Sequence, residues 1–162
     1  MTELTNLETK LGEVIGLAMA AQAATERVEK LTKDATLRRQ LKTMRQEAAK
    51  AEKDGTAVAA SMNGKKGKIL AEARTVKTKG ATMMKTYLDR SSDDLDGFEF
   101  LTMAEAGEVG HWSVLKTLNE RAGHDGIREL VDWALPIQQR HLRDVLDGSQ
   151  TLAAEEDPNE PA

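Results

Sequence analysis

Residues 98–122 read FEFLTMAEAGEVGHWSVLKTLNERA, and this stretch carries the strongest indication of the fold. Its apolar residues recur at the spacing of an amphipathic helix: Phe98, Leu101, Trp112, Leu115 and Leu118. The same stripe also carries Glu105, Glu108 and His111 between them. Burying such groups costs several kcal/mol unless they are paired or bind a metal. The stretch therefore predicts a long helix with a polar site on its inner face.

A second segment repeats this pattern nearer the C-terminus. Gln138 and His141 lie on a stripe whose other members are apolar: Ile127, Leu130, Val131, Ala134 and Val145. Gln138 and His141 are three residues apart, as are Glu108 and His111, and that offset directs both side chains of a pair into one neighbouring space. Two helices with polar pairs at matching offsets predict a shared polar site inside a bundle.

The composition indicates one globular, helical domain. The 162 residues are 40% hydrophobic and 31% charged, which suits a single core. No proline precedes position 136, and no segment alternates β-branched residues, so we predict helices and no strands. The absence of cysteine excludes disulfides, thiol catalysis and cysteine-ligated metal sites.

Charge and hydropathy narrow the class of protein further. A net charge of −4 argues against a dedicated nucleic-acid binder. Residues 1–13 carry three acids and no apolar run, which is unlike a signal peptide. No apolar run approaches the eighteen residues of a membrane span. We therefore expect a soluble, cytoplasmic protein with no membrane partner.

Turn and cap signals divide the chain into helices at about 4–32, 37–61, 68–88, a fourth that follows the loop 91–94 and ends at 122, and a fifth from 125 to 146. Asp34 or Thr36 can cap the second helix, and Asp125 the fifth. Gly123 is well placed to end the fourth, and Pro136 is expected to kink the fifth.

The C-terminal residues differ from the rest of the chain. Residues 148–162 contain four acids and two prolines with almost nothing to bury, so we predict a disordered acidic tail. Residues 1–147 are then the bundle domain, with long antiparallel helices joined by short turns.

Small residues lie four apart along the first predicted helix: Gly12, Gly16, Ala20 and Ala24. Another backbone can approach closely along such a line, because glycine has no Cβ and alanine nothing beyond it. We expect a homo-oligomer, a dimer or larger, formed through this Ala/Gly-rich surface.

The residues alone leave the nature of the polar site open. Carboxylate oxygens and imidazole suit iron or manganese, and Glu-x-x-His is a unit of carboxylate-bridged di-metal bundles. Gln22 on the first helix and Glu47 on the second are further candidate ligands. Alternatively, Glu108 pairs with His141 or Arg140 in a purely structural network.

Two other features have simpler interpretations. His124, in a Gly-His-Asp turn, is expected to be a capping or solvated residue rather than a ligand. The third helix is rich in basic residues: Lys65, Lys66, Lys68, Arg74, Lys77, Lys79 and Lys85. They could attract phosphates or an acidic partner. Because the strip lacks the interleaved aromatics of single-strand binders, a solvated helix face is the simpler interpretation.

Part of the chain resembles the C-terminal half of ferritin-like bundles. The resemblance rests on Glu105-Ala-Gly-Glu108-Val-Gly-His111, Leu115-Lys-Thr-Leu118, Ala122-Gly-His124-Asp125 and Glu129-Leu130-Val131. It is strongest to the YciF-like bacterial stress-associated branch, and it covers 98–146 and, more weakly, 7–51. It implies an antiparallel four-helix bundle with one additional helix and a di-metal site between the helices.

The resemblance also implies a ligand set. Gln22 stands at the position of the first-helix carboxylate. Glu47 stands at the second-helix carboxylate, with Lys50 where histidine is usual. Glu105 or Glu108 would serve from the fourth helix.

The remaining positions are two pairs with the same offset. His111 would serve beside those glutamates, and Gln138 with His141 matches the final Glu-x-x-His. Amides at two carboxylate positions and a lysine at a histidine position leave too few acids for two metal ions. The expectation is one ion, iron or manganese, held by Glu105, Glu108, His111 and His141, or none.

Two functions follow as expectations. The first is a ferritin-like bundle with a degenerate or single-metal site, acting in metal binding or stress protection, and no reaction is assigned to it. The second is a non-catalytic structural or interaction bundle, in which the polar cluster fixes helix register. The basic third helix or the acidic tail would then bind a protein partner.

Overall fold

The computed structural model describes residues 3–161, which form five helices and no strand. The helices are α1 (Asn6–Leu31), α2 (Ala35–Ala60), α3 (Lys66–Tyr87), α4 (Asp94–Ala122) and α5 (Asp125–Ala153). The predicted all-α class is confirmed. Met1, Thr2 and Ala162, at the ends of the predicted bundle and tail, lie outside the described residues. Within 3–161, none of the helices has the length and apolar character needed to cross a membrane.

Side-chain caps set the helix ends. Asp34 caps α2 by accepting a hydrogen bond from the Leu37 amide at 2.8 Å. Gly123 ends α4 with a φ of 67°, the left-handed conformation that glycine adopts without strain. The predicted roles of both residues are confirmed.

The cap of α5 is one residue earlier than predicted. His124 is the N-cap, and its ring accepts a hydrogen bond from the Ile127 amide, so Asp125 is the first helical residue rather than the cap. The Asn119 side chain fixes this turn, because its amide bonds both the backbone oxygen and the backbone N–H of His124, at 3.0 and 3.1 Å. The expected capping role of His124 is confirmed.

Helices α1 and α5 each pack against α2 and α4 and run in the direction opposite to both. On α4, His111 contacts Lys10 near the start of α1, and Gly97 packs on Val28 near its end, so the two helices are antiparallel. Helix α5 is likewise antiparallel to α4, and α2 is antiparallel to both α1 and α5. Helix α4 packs against α1 and α5, and α2 also packs against α1 and α5.

Helix α3 lies against α1 and runs in the same direction. Gly12 faces the backbone of Ile69, where a Cβ would lie 2.8 Å from the carbonyl oxygen, and further along the stripe Ala20 faces Gly80. The predicted close approach is therefore confirmed, and the neighbouring backbone belongs to the same chain. Because α3 covers these small residues of α1, they are not free to contact a second copy of the chain. The homo-oligomer stays a prediction, but it cannot form through this surface.

The buried apolar residues form two clusters, one toward each end of the helices. On α4, Leu101 belongs to one cluster and Trp112 to the other. On α5, Ala134 and Val145 are divided in the same way. The polar residues of both helices lie in the interval between these positions, so the fold places them in the middle of the molecule.

Helix α5 extends beyond its expected end at about 146. It continues through Pro136 to Ala153, because Gly148 packs against the Phe98 ring and Leu152 is buried in the second apolar cluster. The predicted end of the helix at about 146 is therefore too early, and position 147 lies inside a packed helix. The exposed acidic segment is 154–161.

Candidate functional site

Five of the seven predicted ligands meet in the middle of the molecule, and we term them the central cluster: Glu47 of α2, Glu105 and Glu108 of α4, and Gln138 and His141 of α5. Four of them are almost inaccessible to solvent, and Glu47 lies at the edge with 19% of its side chain exposed. The helical offsets predicted from the sequence place them together because α2 and α4 both pack against α5.

His141 lies between two carboxylates. Its Nε2 atom is 3.2 Å from Oε1 of Glu47, and its Nδ1 atom is 3.6 Å from Oε2 of Glu105. Burial by itself lowers the pKa of His141, but the carboxylates of Glu105 and Glu47 outweigh it and hold the pKa above its ordinary value. The geometry therefore favours a buried imidazolium, with a carboxylate facing each ring nitrogen.

Glu108 forms the second polar contact between α4 and α5. Its Oε2 accepts a hydrogen bond from the Gln138 amide. Burial raises the pKa of Glu108 well above its ordinary value, the nearby charge of Glu105 raises it further, and the bond from Gln138 opposes both only in part. The surroundings of Glu108 therefore favour its protonated form.

Two basic side chains face the acids of this region. Glu47 accepts a hydrogen bond from the Arg140 guanidinium at the surface end of the cluster, and Arg140 also lies 3.9 Å from Asp144. His141 faces Glu47 and Glu105. These pairings explain how three acids can be accommodated in one small region.

Three buried polar atoms near the cluster have no hydrogen-bond partner among the described residues: Glu105 Oε2, Gln138 Oε1 and Trp112 Nε1. A cavity of about 10 Å³ is lined by residues that include Glu47, Trp112, Gln138 and His141, but not by Glu105. That volume is near the lower limit for one water molecule. The cluster thus has buried oxygens without hydrogen bonds, and a neighbouring cavity large enough for one water-sized species.

The structure places His111 outside the central cluster. Its side chain is 42% exposed, and Nδ1 lies 3.1 Å from Oε2 of Glu13 and 3.2 Å from Nζ of Lys10. The prediction that His111 joins the other ligands is therefore wrong. It lies one turn too far along α4 and turns toward α1 rather than α5.

Gln22 and Lys50 also lie elsewhere. Gln22 donates a hydrogen bond to Glu52 between α1 and α2. Lys50 forms an ion pair with Asp54 and lies 4.2 Å over the Trp133 ring. Neither residue contributes to the central cluster, so the positions that the resemblance implied for them do not hold.

Sequence reasoning missed Glu13 as the partner of His111 and assigned Arg140 to the wrong acid. The Lys10–Glu13 spacing could have suggested a charged pair, but the antiparallel register that brings it to His111 is not visible in the sequence. Across residues 3–161, no group of three or more His, Cys, Asp and Glu side chains is arranged to hold a metal ion.

Comparisons of the chain with protein-family models, with curated protein sequences and with solved structures find no match. The ferritin-like resemblance therefore stays a prediction from the residues quoted above.

Proposed function

We propose that this chain is a ferritin-like bundle that binds one divalent cation, iron or manganese, in the central cluster. The helix directions support the fold assignment. Helices α1 and α5 run one way, α2 and α4 run the other way, and α3 returns along α1 between α2 and α4. A bundle with one long crossover connection has this order of directions.

The observation that carries the proposal is the unpartnered oxygen of Glu105. Oε2 is buried, has no hydrogen bond among the described residues, and lies 3.6 Å from Nδ1 of His141. Oε1 of Gln138, a residue that lines the 10 Å³ cavity, is likewise without a hydrogen bond among the described residues. Unsatisfied buried oxygens are costly, and a cation that coordinates them would remove that cost. Carboxylate and amide oxygens with one imidazole suit iron and manganese.

Space favours one ion over two, because the cavity beside Gln138 and His141 has a volume of only about 10 Å³. Binding would release protons from the cluster, because a metal ion requires deprotonated ligands. We assign no reaction to this site, and stress protection stays an expectation from the resemblance.

A second candidate function is the interaction bundle, in which the cluster is purely structural. The arrangement of His141 favours it, because both ring nitrogens already face carboxylates and no three-ligand group is preformed within 3–161. In that case the charged pairs of α2, α4 and α5 specify how the helices align, and function lies at the surface.

Metal titration distinguishes these candidates. The purified chain is titrated with Mn²⁺, and anaerobically with Fe²⁺, at pH 7.5 while the bound metal and the melting temperature are measured. We expect about one equivalent of metal and a raised melting temperature, because a ligand of the native state stabilises it.

Matched variants locate the site. His141→Ala and the isosteric Glu105→Gln should abolish binding, whereas His111→Ala should leave it unchanged because His111 lies outside the cluster. Wild-type protein that retains no metal and melts at the same temperature with and without Mn²⁺ or Fe²⁺ would reject the metal proposal and leave the structural one.

A further inference from the structure

A cavity of about 250 Å³ opens between α3 and α4, with α1 as its floor, and we term it the α3–α4 groove. It exists because α3 packs closely on the small residues of α1 and does not close against α4. Its lining is mainly apolar and includes Leu17, Ala20, Met84, Phe100, Leu101 and Ala104.

The groove is unusual because it leaves flexible apolar side chains in solvent. Met83 and Met103, on its two sides, are 46% and 39% exposed. Covering apolar surface is favourable by about 25 cal/mol per Å². Methionine side chains adapt to irregular ligands because they are unbranched and flexible. The groove therefore favours an apolar occupant.

The size of the groove distinguishes between apolar occupants. A volume of about 250 Å³ lies just below the range of about 300–1,000 Å³ that is usual for small-molecule pockets. An α-helix with its side chains is about 10–12 Å across, which is far too large for this space. An unbranched chain of medium length fits.

One end of the groove is polar. Lys77 lines it between the levels of Ala73 and Gly80, which contact Gly16 and Ala20 of α1. His111 lines the same end from α4, whereas Phe100 lies at the other end. The polar and apolar ends are therefore separated along the groove.

Lys77 supplies the free charge at the polar end. It is exposed and forms no ion pair with another residue of 3–161, whereas His111 is engaged with Glu13 and Lys10. Lys77 also borders a polar cavity that contains Gln22 and Glu52, and an anionic ligand in the groove would draw its ammonium to the groove side.

The two acids in the wall do not oppose an anionic ligand strongly. Glu105 and Glu108 line the groove, but the charge of Glu105 is compensated by His141. Glu108 is buried and already accepts a hydrogen bond from the Gln138 amide.

We propose that the α3–α4 groove binds an amphiphile with an unbranched, medium-length apolar chain and an anionic head group. The chain lies along Leu101 toward Phe100, and the head group lies at Lys77. This inference does not depend on metal binding in the central cluster.

Three probes with the same chain test the proposal: decanoate and decylamine, each below its micellar concentration, and decanol below its solubility limit. Binding to the full chain is measured by titration calorimetry and by the shift in melting temperature. Decanoate should bind about two- to fivefold more tightly than decanol, the value of one exposed ion pair. Decylamine should bind most weakly.

Two glycines of α4 provide a matched pair of variants. Gly107 lines the groove and Gly110 does not, and a Cβ at either position meets no atom within 4 Å. Leucine has a higher helix propensity than glycine, so both variants should fold. Gly107→Leu fills the groove and should weaken decanoate about tenfold or more, by steric overlap, whereas Gly110→Leu should bind as wild type.

The head group is tested in the same way. Lys77→Gln should remove the preference for decanoate over decanol, and Lys79→Gln, on the same helix but outside the groove, should retain it. Absence of binding by all three probes, or binding that Gly107→Leu does not weaken, would overturn the proposal. Equal binding of the three probes would also overturn it. A dimer that Gly107→Leu dissociates, with no response to decanoate, would assign the groove to a second copy instead.

Discussion

The Nδ1 atom of His141 lies 3.6 Å from Oε2 of Glu105, and both side chains are more than 95% buried. This pair bridges α4 and α5 at the level between the two apolar clusters. An ion pair in such a place is stabilising only while its partners keep opposite charges. The protonation of the cluster is therefore coupled to the stability of the fold.

Stability should fall as the pH rises through neutrality. The folded pKa of His141 is raised from 6.5, and that of Glu108 is raised well above 4.5. The folded protein thus binds these protons more tightly than the unfolded chain, so each contribution is complete below the ordinary pKa and is lost as the pH passes the raised pKa. We expect the melting temperature of the metal-free protein to be higher at pH 6 than at pH 8.5.

A conservative variant isolates the contribution of Glu108 to this loss of stability with rising pH. Glu108→Gln mimics the protonated acid, so its melting temperature should change less between pH 6 and 8.5 than that of wild type. Glu99→Gln is the same substitution at an exposed position of α4, and it should keep the wild-type slope. A wild-type melting temperature that is constant or rises over this range would contradict the assignment.

The sequence predicted those parts of the site that depend on spacing within one helix. Glu105 with Glu108, and Gln138 with His141, are inner-face residues whose rotation follows from the apolar stripes around them. The same reasoning failed at His111. The inner stripe of α4 is wide enough to contact both α1 and α5, and only the packed structure shows that His111 turns toward Glu13 of α1.

Some contacts between helices were beyond the reach of the sequence. Gln22 was a candidate ligand from its place on the first helix as well as from the family pattern, and Lys50 was placed by that pattern alone, but their contacts depend on the rotation of α1 and α2. The end of α5 was misjudged for a related reason. Residues 148–162 offer almost nothing to bury, yet the missing Cβ of Gly148 allows the Phe98 ring to pack there and Leu152 is buried.

The glycines of α1 and α4 should respond oppositely to alanine. At Gly16 an added Cβ would overlap the backbone of Ala73, and such overpacking costs about 1–3 kcal/mol. At Gly107 there is open space, so Gly107→Ala should stabilise the helix by up to about 1 kcal/mol. Urea denaturation of both variants measures these changes. Equal stability of the two would show that α3 does not approach α1 as closely as described.

Truncation tests where the folded domain ends. A chain that stops at 147 loses Gly148 and Leu152, which pack on the second apolar cluster, and it should lose about 2–5 kcal/mol of stability, comparable to deleting a buried leucine. A chain that stops at 154 loses only the exposed acidic segment and should melt like the full chain. Similar melting of both truncated chains would restore the boundary at 147.

The substitution Gln138→Glu separates the two candidate functions of the central cluster. Gln138 donates a hydrogen bond to Glu108, and a glutamate there would replace this donor by a third acid of the α4–α5 interface. Leaving the buried acceptor unsatisfied costs about 1–3 kcal/mol. The variant should therefore melt below wild type without metal, and more so at pH 8 than at pH 6, because two adjacent carboxylates repel each other.

Added Mn²⁺ then gives opposite results for the two functions. If the cluster binds a cation, the new carboxylate supplies another hard ligand, so Mn²⁺ should raise the melting temperature of Gln138→Glu more than that of wild type. The exposed neighbour provides the control, since Gln139→Glu should respond as wild type does. If the cluster is only structural, the variant stays destabilised with or without Mn²⁺. In that case the carboxylate that Gln138→Glu introduces is a buried charge with no partner rather than a metal ligand.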